Sequence, residues 1–123
     1  MVALVSGGSS GIGKATAELL AKRGYKVYEL SRSGKDSEGI THIFADVIDE
    51  DSIKSAIDTV YSKEGQLNIL ICNAGFGISG AVELTEISQA KRLFDVNFFG
   101  IVRCIRAAVP IIRASGGGTI VCL

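Results

Sequence analysis

The stretch Ser6 to Gly13, SGGSSGIG, sets the tightest limit on the fold. It places four glycines and three serines in eight residues. Before it lies an apolar run, Val2 to Val5, and after it the apolar residues change to helical spacing. A strand that turns sharply into a helix needs residues that accept positive φ and close backbone approach, and glycine does both freely. Gly7 permits the turn out of the strand. Gly11 and Gly13 allow a ligand to approach the backbone and the helix to approach the strand, while Ser9 and Ser10 offer hydroxyl donors. A helix opening on such a loop presents free N–H groups and the positive end of its dipole, which suits a pyrophosphate. A tight strand-to-helix turn without a ligand fits the loop equally well, so other segments must decide.

The first helix is predicted to carry Ile12, Ala15, Thr16, Leu19 and Leu20 on its buried face and to end near Gly24. Lys26 to Leu30 and Ile40 to Ala45 read as the second and third strands. Asp49, Glu50 and Asp51 load the first turn of the next helix, where the macrodipole favours acids, and its buried face is Ile53, Ala56, Ile57 and Val60. Leu67 to Cys72 is an almost unbroken apolar run, as expected of a strand covered on both faces. A helical segment from about Thr85 leads to a longer helix through Phe98, Ile101, Val102, Ile105, Val109 and Ile112. Pro110 is expected to kink that helix, because it cannot donate to the carbonyl of Arg106. Gly116 to Gly118 end it, and Thr119 to Leu123 begin a fifth strand. Strands alternating with helices predict one α/β unit over residues 1–123, a parallel sheet with right-handed crossovers and helices on both faces.

A hydrophobic fraction of 47% against 21% charged residues predicts a packed core. The 13 basic and 13 acidic residues cancel, which removes the electrostatic case for nucleic acid or an anionic membrane surface. No apolar stretch is long enough for a membrane span, and the first residues lack a signal-peptide layout, so a cytoplasmic setting is expected. Cys72, Cys104 and Cys122 lie in apolar runs without paired metal-type spacing and read as buried, reduced thiols, with no metal. His42, the single histidine, reads as a partly exposed strand residue rather than a catalytic one.

Three further signals join the glycine loop. Its spacing, S-G-x-x-x-G-I-G, resembles the [T/S]-G-x-x-x-G-x-G loop of the short-chain dehydrogenase/reductase family. The segment CNAG, residues 72 to 75, is similar to that family's N-N-A-G, in which the asparagine supports the central sheet and Ala-Gly lies beside the cofactor. DVNFFG, residues 95 to 100, resembles the segment carrying the family's catalytic asparagine, here Asn97. Asp46-Val47 looks like the family's adenine-contacting pair. Within the family, the stretch from Phe76 to Gly100 looks most like the 17β-hydroxysteroid and retinol dehydrogenases. The resemblance implies a Rossmann-type doubly wound parallel sheet of strand order 3-2-1-4-5. It also implies a cofactor site built from Gly7, Ser9, Ser10, Gly11, Ile12, Gly13, Ser31, Arg32, Asp46, Val47, Asn73, Ala74 and Gly75. Cys72 departs from the pattern; a thiol packs well at a strand end but donates poorly, so a local hydrogen bond is expected to be lost or water-mediated.

The end of the second strand bears on the choice of nicotinamide cofactor. An NAD enzyme carries an acid there that bonds the ribose 2′-hydroxyl. This chain has Ser31 followed by Arg32: a small hydroxyl leaves room for a 2′-phosphate, and a guanidinium can grip it with paired, charge-assisted bonds. Lys35 could add a further positive charge. NADP (NADPH) is the expectation. The rival feature is Glu29, two residues earlier on the same strand face; a strand that ended sooner would bring it to the ribose and favour NAD.

As the resemblance implies, the chemistry is hydride transfer between the nicotinamide and a carbonyl or alcohol substrate. The family's acid/base is a tyrosine whose pKa is lowered by a lysine four residues later, with a serine orienting the substrate oxygen. Here Tyr25, Tyr28 and Tyr61 are followed four residues on by Glu29, Arg32 and Gly65, so no Tyr-x-x-x-Lys is present. The family's serine would follow the fifth strand, in which this sequence stops at Leu123. The expectation is therefore the N-terminal, cofactor-binding part of an oxidoreductase, truncated before the family's sixth and seventh strands and inactive alone, with Asn97 reduced to a structural helix residue. Strand five would be an exposed apolar edge, and the helix from Phe98 to Ile112 would lie at a dimer interface, predicting a homo-oligomer or poor solubility. A free-standing NADP(H)-binding module or decayed fragment is an alternative. A Rossmann-like domain for another nucleotide ligand, such as an S-adenosylmethionine methyltransferase, is a third, and NAG and Asp46-Val47 argue against it. Gly75 to Val82 suggest nothing more specific than apolar surface, and a steroid, retinoid or other hydrophobic carbonyl as substrate is implied by the resemblance alone.

Overall fold

Val2 to Val5 are fully enclosed, which fixes this strand at the middle of the sheet and everything else around it. The computed structural model describes residues 1–123. Its elements are β1 (Val2–Ser6), α1 (Gly11–Lys22), β2 (Lys26–Ser31), β3 (Ile40–Phe44), α2 (Glu50–Glu64), β4 (Ile69–Cys72), α3 (Ile87–Phe94), α4 (Gly100–Ala114) and β5 (Thr119–Cys122). A 3-10 turn at Val82–Leu84 precedes α3, and a π turn at Asp95–Phe99 joins α3 to α4 without a break. The sheet is parallel throughout, in the order β3-β2-β1-β4-β5, a Rossmann-type arrangement as expected. β1 pairs Val5 with Glu29 on one side and Ile71 on the other.

Alternation along the strands divides the interior into two cores. Val2, Leu4, Tyr28, Leu30, Leu70 and Cys72 pack with α2 and α4, whereas Val5, Val27, Ile40 and Ile71 pack with Ala17 of α1. Each fully enclosed Leu, Ile or Val contributes about 1.5–3 kcal/mol relative to exposure. α2 follows the sequence closely. Asp49 caps it by accepting from the N–H groups of Asp51 and Ser52 at 3.1 and 3.3 Å, Gly65 closes it at φ +68°, and Ile53, Ala56, Ile57 and Val60 are its buried residues.

The structure corrects three expectations. In α1 the buried residues are Gly13 and Ala17, with Thr16 and Leu20 half-buried; Ile12 is 71% exposed and Leu19 49%. Small residues let the helix axis approach the sheet, so the larger apolar ones are turned outward. α4 also buries small residues, with Gly100, Cys104, Ala108 and Ile112 enclosed at four-residue spacing, while Phe98 of the π turn and Val102 are exposed. A Cβ on Gly100 would sit 3.0 Å from Val47, which shows how closely this helix lies. β4 begins at Ile69 rather than Leu67; the preceding Asn68 is instead buried, its Oδ1 accepting from Val2 N–H at 2.8 Å and its carbonyl from Thr119 N–H at 2.9 Å. Cys122 is exposed, because β5 is an edge strand paired only with β4. α4 continues through Pro110 to Ala114 as one element. No helix is long and apolar enough to cross a membrane.

Candidate functional site

The carboxyl ends of β1, β2 and β4 open on a cleft of about 480 Å³. Four chain turns, those following β1, β2, β3 and β4, form its walls, and hydrogen bonds lock two of them together. Ser6 Oγ, at the end of β1, accepts from the N–H groups of Asn73 and Ala74 at 3.1 and 3.2 Å. Asn73 Nδ2 in turn donates to the carbonyl of Gly7 at 3.2 Å. The β1–α1 turn and the Asn73–Gly75 turn therefore move as one body. Gly7, at φ +69°, cannot be replaced here, since a Cβ would lie 2.8 Å from Ala74 Cα.

α1 starts at this cleft with its positive end uncompensated. Ser10 occupies the N-cap position but makes no side-chain cap bond, and no acid stands in the first turn. The start of α2 is the opposite case, capped by Asp49 and loaded with Glu50 and Asp51. Gly11, at φ +55°, faces open space, so its backbone is accessible to a ligand. Uncapped N–H groups, free serine hydroxyls and a bare dipole end fit a phosphate group.

Of the residues singled out in the sequence, Gly7, Ser9, Ser10, Gly11, Ile12, Ser31, Arg32, Asp46, Val47, Asn73, Ala74 and Gly75 line this one cleft. Gly13 and Asn97 do not. Gly13 is buried behind the loop, where a Cβ would collide with the carbonyl of Gly7 and the amide of Asn73, so its service is to helix–strand packing alone. Asn97, in the π turn, spends its side chain on the backbone of Phe76 and approaches Gly75 closely.

β2 reaches Ser31, and Ser31, Arg32 and Ser33 line the cleft. Glu29 stays out of it. Its side chain is 2% exposed, lies against His42 Nδ1, and accepts from Ser31 Oγ at 3.1 Å. On the third wall, Asp46 Oδ1 accepts from Ile48 N–H at 3.1 Å, and Ser52 Oγ receives the N–H of Asp46 at 3.0 Å. Val47 is held through its carbonyl by Arg103 at 3.0 Å, whose guanidinium also reaches Asp95 Oδ1 at 2.5 Å and so ties the π turn to the cleft.

Sequence reasoning missed several wall residues. Arg92 and Val96 reach the cleft from one face of the α3–π segment, four residues apart, a spacing that could have drawn attention to them. Phe76, Ile48, Leu30, Ser33 and Ala45 complete the apolar and polar lining. Outside the cleft, Cys72 and Cys104 are buried together between β4 and α4; contact with Cys104, then burial, holds the Cys72 thiol well above its usual range and therefore protonated. Tyr28 is buried with its hydroxyl donating to Glu64 Oε1 at 2.5 Å, and burial followed by that bond pushes its pKa up to about 12.

Comparison with known proteins gives a consistent answer. A sequence model described as short chain dehydrogenase matches residues 1–123. A 3-ketodihydrosphingosine reductase of Bacteroides thetaiotaomicron is 36% identical over 121 residues, spanning 98% of this chain and 45% of that protein. Among solved structures, the ligand-free aldohexose dehydrogenase of Thermoplasma acidophilum superposes with a TM-score of 0.92 at 34% identity, covering 97% of this chain and 47% of the other. ElxO with NADP bound superposes at 0.89 with 27% identity, covering 97% and 53%. The chain spans about half the length of the curated relatives it matches.

Proposed function

The chain belongs to the short-chain dehydrogenase family, whose members bind NAD(P), and from that membership we propose that residues 1–123 are a single NADP-binding domain of a short-chain oxidoreductase. The observation that carries the reading is the convergence of the uncapped start of α1, Arg32 and Asp46 on one cleft. The loop from Gly7 to Ile12 would hold the pyrophosphate on its N–H groups and hydroxyls. Ser31 leaves space at the ribose, and the guanidinium of Arg32 would hold a 2′-phosphate by charge-assisted bonds. Asp46 and Val47 would bound the adenine, and Asn73 to Gly75 the nicotinamide side. The withdrawal of Glu29 into its contact with His42 supports NADP over NAD, because the rival acid is not in the cleft wall.

When bound, the nicotinamide supplies a hydride for a carbonyl carbon or accepts one from an alcohol. The residues present bind and orient; none of the three tyrosines has a lysine four residues on, so we propose no turnover by this chain alone. Phe76 lines the cleft, and the exposed Ile78 and Val82 follow it in the chain; this apolar surface favours a hydrophobic small-molecule substrate. We place the protein in the cytoplasm and expect it to self-associate through α3 and α4. Calorimetric titration with NADPH and NADH tests the reading: tighter binding of NADPH is expected, and equal or reversed affinities would refute it.

A further inference from the structure

Glu29 is the costly residue of this fold. Its carboxylate is enclosed between β2, β3 and the segment after β2, and its Oε2 has no hydrogen-bond partner. An apolar side chain at this point would avoid the penalty of burying a carboxylate. Its bond to Ser31 leads to the cleft wall, and its contact with His42 ties it to β3. Oε1 meets His42 Nδ1 and accepts the hydroxyl hydrogen of Ser31, while Ser31 Oγ accepts the N–H of Gly34 at 2.9 Å. Gly34 lies so tightly on this chain of bonds that a Cβ would collide with Glu29 Oε1 and come within 2.5 Å of Ser31 Oγ and 2.7 Å of His42 Nδ1. The backbone N–H of His42 donates to Asp36 Oδ1 at 2.7 Å, fastening the far end of the same segment.

Arg32 and Ser33 are thus presented to the cleft by a segment held at one end through Ser31 and Glu29 of β2 and at the other by His42 of β3. Because Ser31 commits its proton to Glu29, it does not donate into the cleft; recognition at this wall falls to Arg32. We propose that Glu29 and His42 are a positioning pair that fixes the Ser31–Gly34 turn and so determines selectivity for a nucleotide bearing a 2′-phosphate. The inference rests on the NADP reading above and adds to it the source of the discrimination.

The test measures binding of 2′,5′-ADP and 5′-AMP, which differ only in the 2′-phosphate, to the 123-residue chain. The wild-type chain is expected to prefer 2′,5′-ADP. His42→Leu should lower that preference about tenfold, the effect of one charge-assisted positioning bond, with 5′-AMP affinity changed less than about twofold. His42→Asn, which keeps a donor near the Nδ1 position, should restore most of it. Glu29→Val provides a second disruption that leaves no unpaired carboxylate, should His42→Leu fail to fold. A wild-type chain without preference would overturn both the NADP reading and this inference. A preference that persists in folded His42→Leu or Glu29→Val, or equal losses for both nucleotides, would overturn the inference alone.

Discussion

Asn97 clamps Phe76 at two points: Oδ1 accepts from the Phe76 N–H at 3.0 Å, and Nδ2 donates to its carbonyl at 2.7 Å. The clamp joins the π turn to the segment leaving the Asn73–Gly75 turn, and so sets one end of the cleft. Removing both bonds with Asn97→Ala should cost about 1–2 kcal/mol, given a net value near 1 kcal/mol per bond. Asn97→Asp keeps the acceptor but sets a carboxylate oxygen against the Phe76 carbonyl, and should cost at least as much. Urea unfolding with hydrogen exchange at the Phe76 amide checks this, and unchanged protection of that amide in Asn97→Ala would sink it.

Gly13 and Gly11 should respond differently to the same methyl group. At Gly13 a Cβ collides with backbone and with Asn73, and overpacking of this kind costs about 1–3 kcal/mol. It should also break the bond from Asn73 to Gly7 and loosen both welded turns. At Gly11 space is open, and the strain is that of φ +55° alone, about 1–2 kcal/mol. Thermal unfolding gives the two costs, and nucleotide binding separates them. Gly13→Ala should distort the loop, whereas Gly11→Ala places its methyl directly in the cleft.

The elements that were legible in the sequence are those where pattern and packing agree. In α2 the large apolar residues are also the buried ones, and the acids mark the first turn, so both face and start were readable. In α1 the interior positions are Gly13 and Ala17, chosen for close approach, and a reading based on apolar size selects the exposed Ile12 and Leu19 instead. The cleft was legible because its residues sit in short local motifs. Arg92 and the Glu29–His42 pair were not, since their roles arise from segments distant in sequence meeting in the folded chain.

Arg32 should be separable from the rest of the cleft. Arg32→Ala removes the guanidinium and should weaken 2′,5′-ADP by about tenfold or more, from charge-assisted bonds worth about 1.5–3 kcal/mol, while sparing 5′-AMP. Ser31→Asp adds a second carboxylate beside Glu29 at the cleft wall and should lower the preference for 2′,5′-ADP, since it repels a 2′-phosphate. Titration calorimetry on the two variants decides; equal weakening of both ligands by Arg32→Ala would place the guanidinium elsewhere.

Ile87, Phe94, Phe98 and Val102 leave an apolar band along α3 and α4 that no other part of the chain covers, with Phe98 55% exposed. Bands of this kind mark association surfaces. Sedimentation velocity should show self-association of the chain, and Phe98→Glu with Val102→Glu should shift it toward monomer without loss of helicity. A wild-type monomer at all accessible concentrations would refute the proposal.

Tyr28 should make the fold sensitive to alkali. Its pKa is raised from 10.0 to about 12, first by burial and then by the bond to Glu64, so the folded state favours the protonated phenol. A group whose pKa is raised on folding contributes stability that is full below its unfolded value and is lost as pH rises through the folded one. Stability should therefore hold to about pH 10 and fall between there and pH 12. Tyr28→Phe cannot ionise and should flatten that decline, at the expense of the hydrogen bond to Glu64 at lower pH. Unfolding curves collected across this range, with phenolate absorbance followed in parallel, test the assignment. An unchanged alkaline decline in Tyr28→Phe would locate the sensitive group elsewhere.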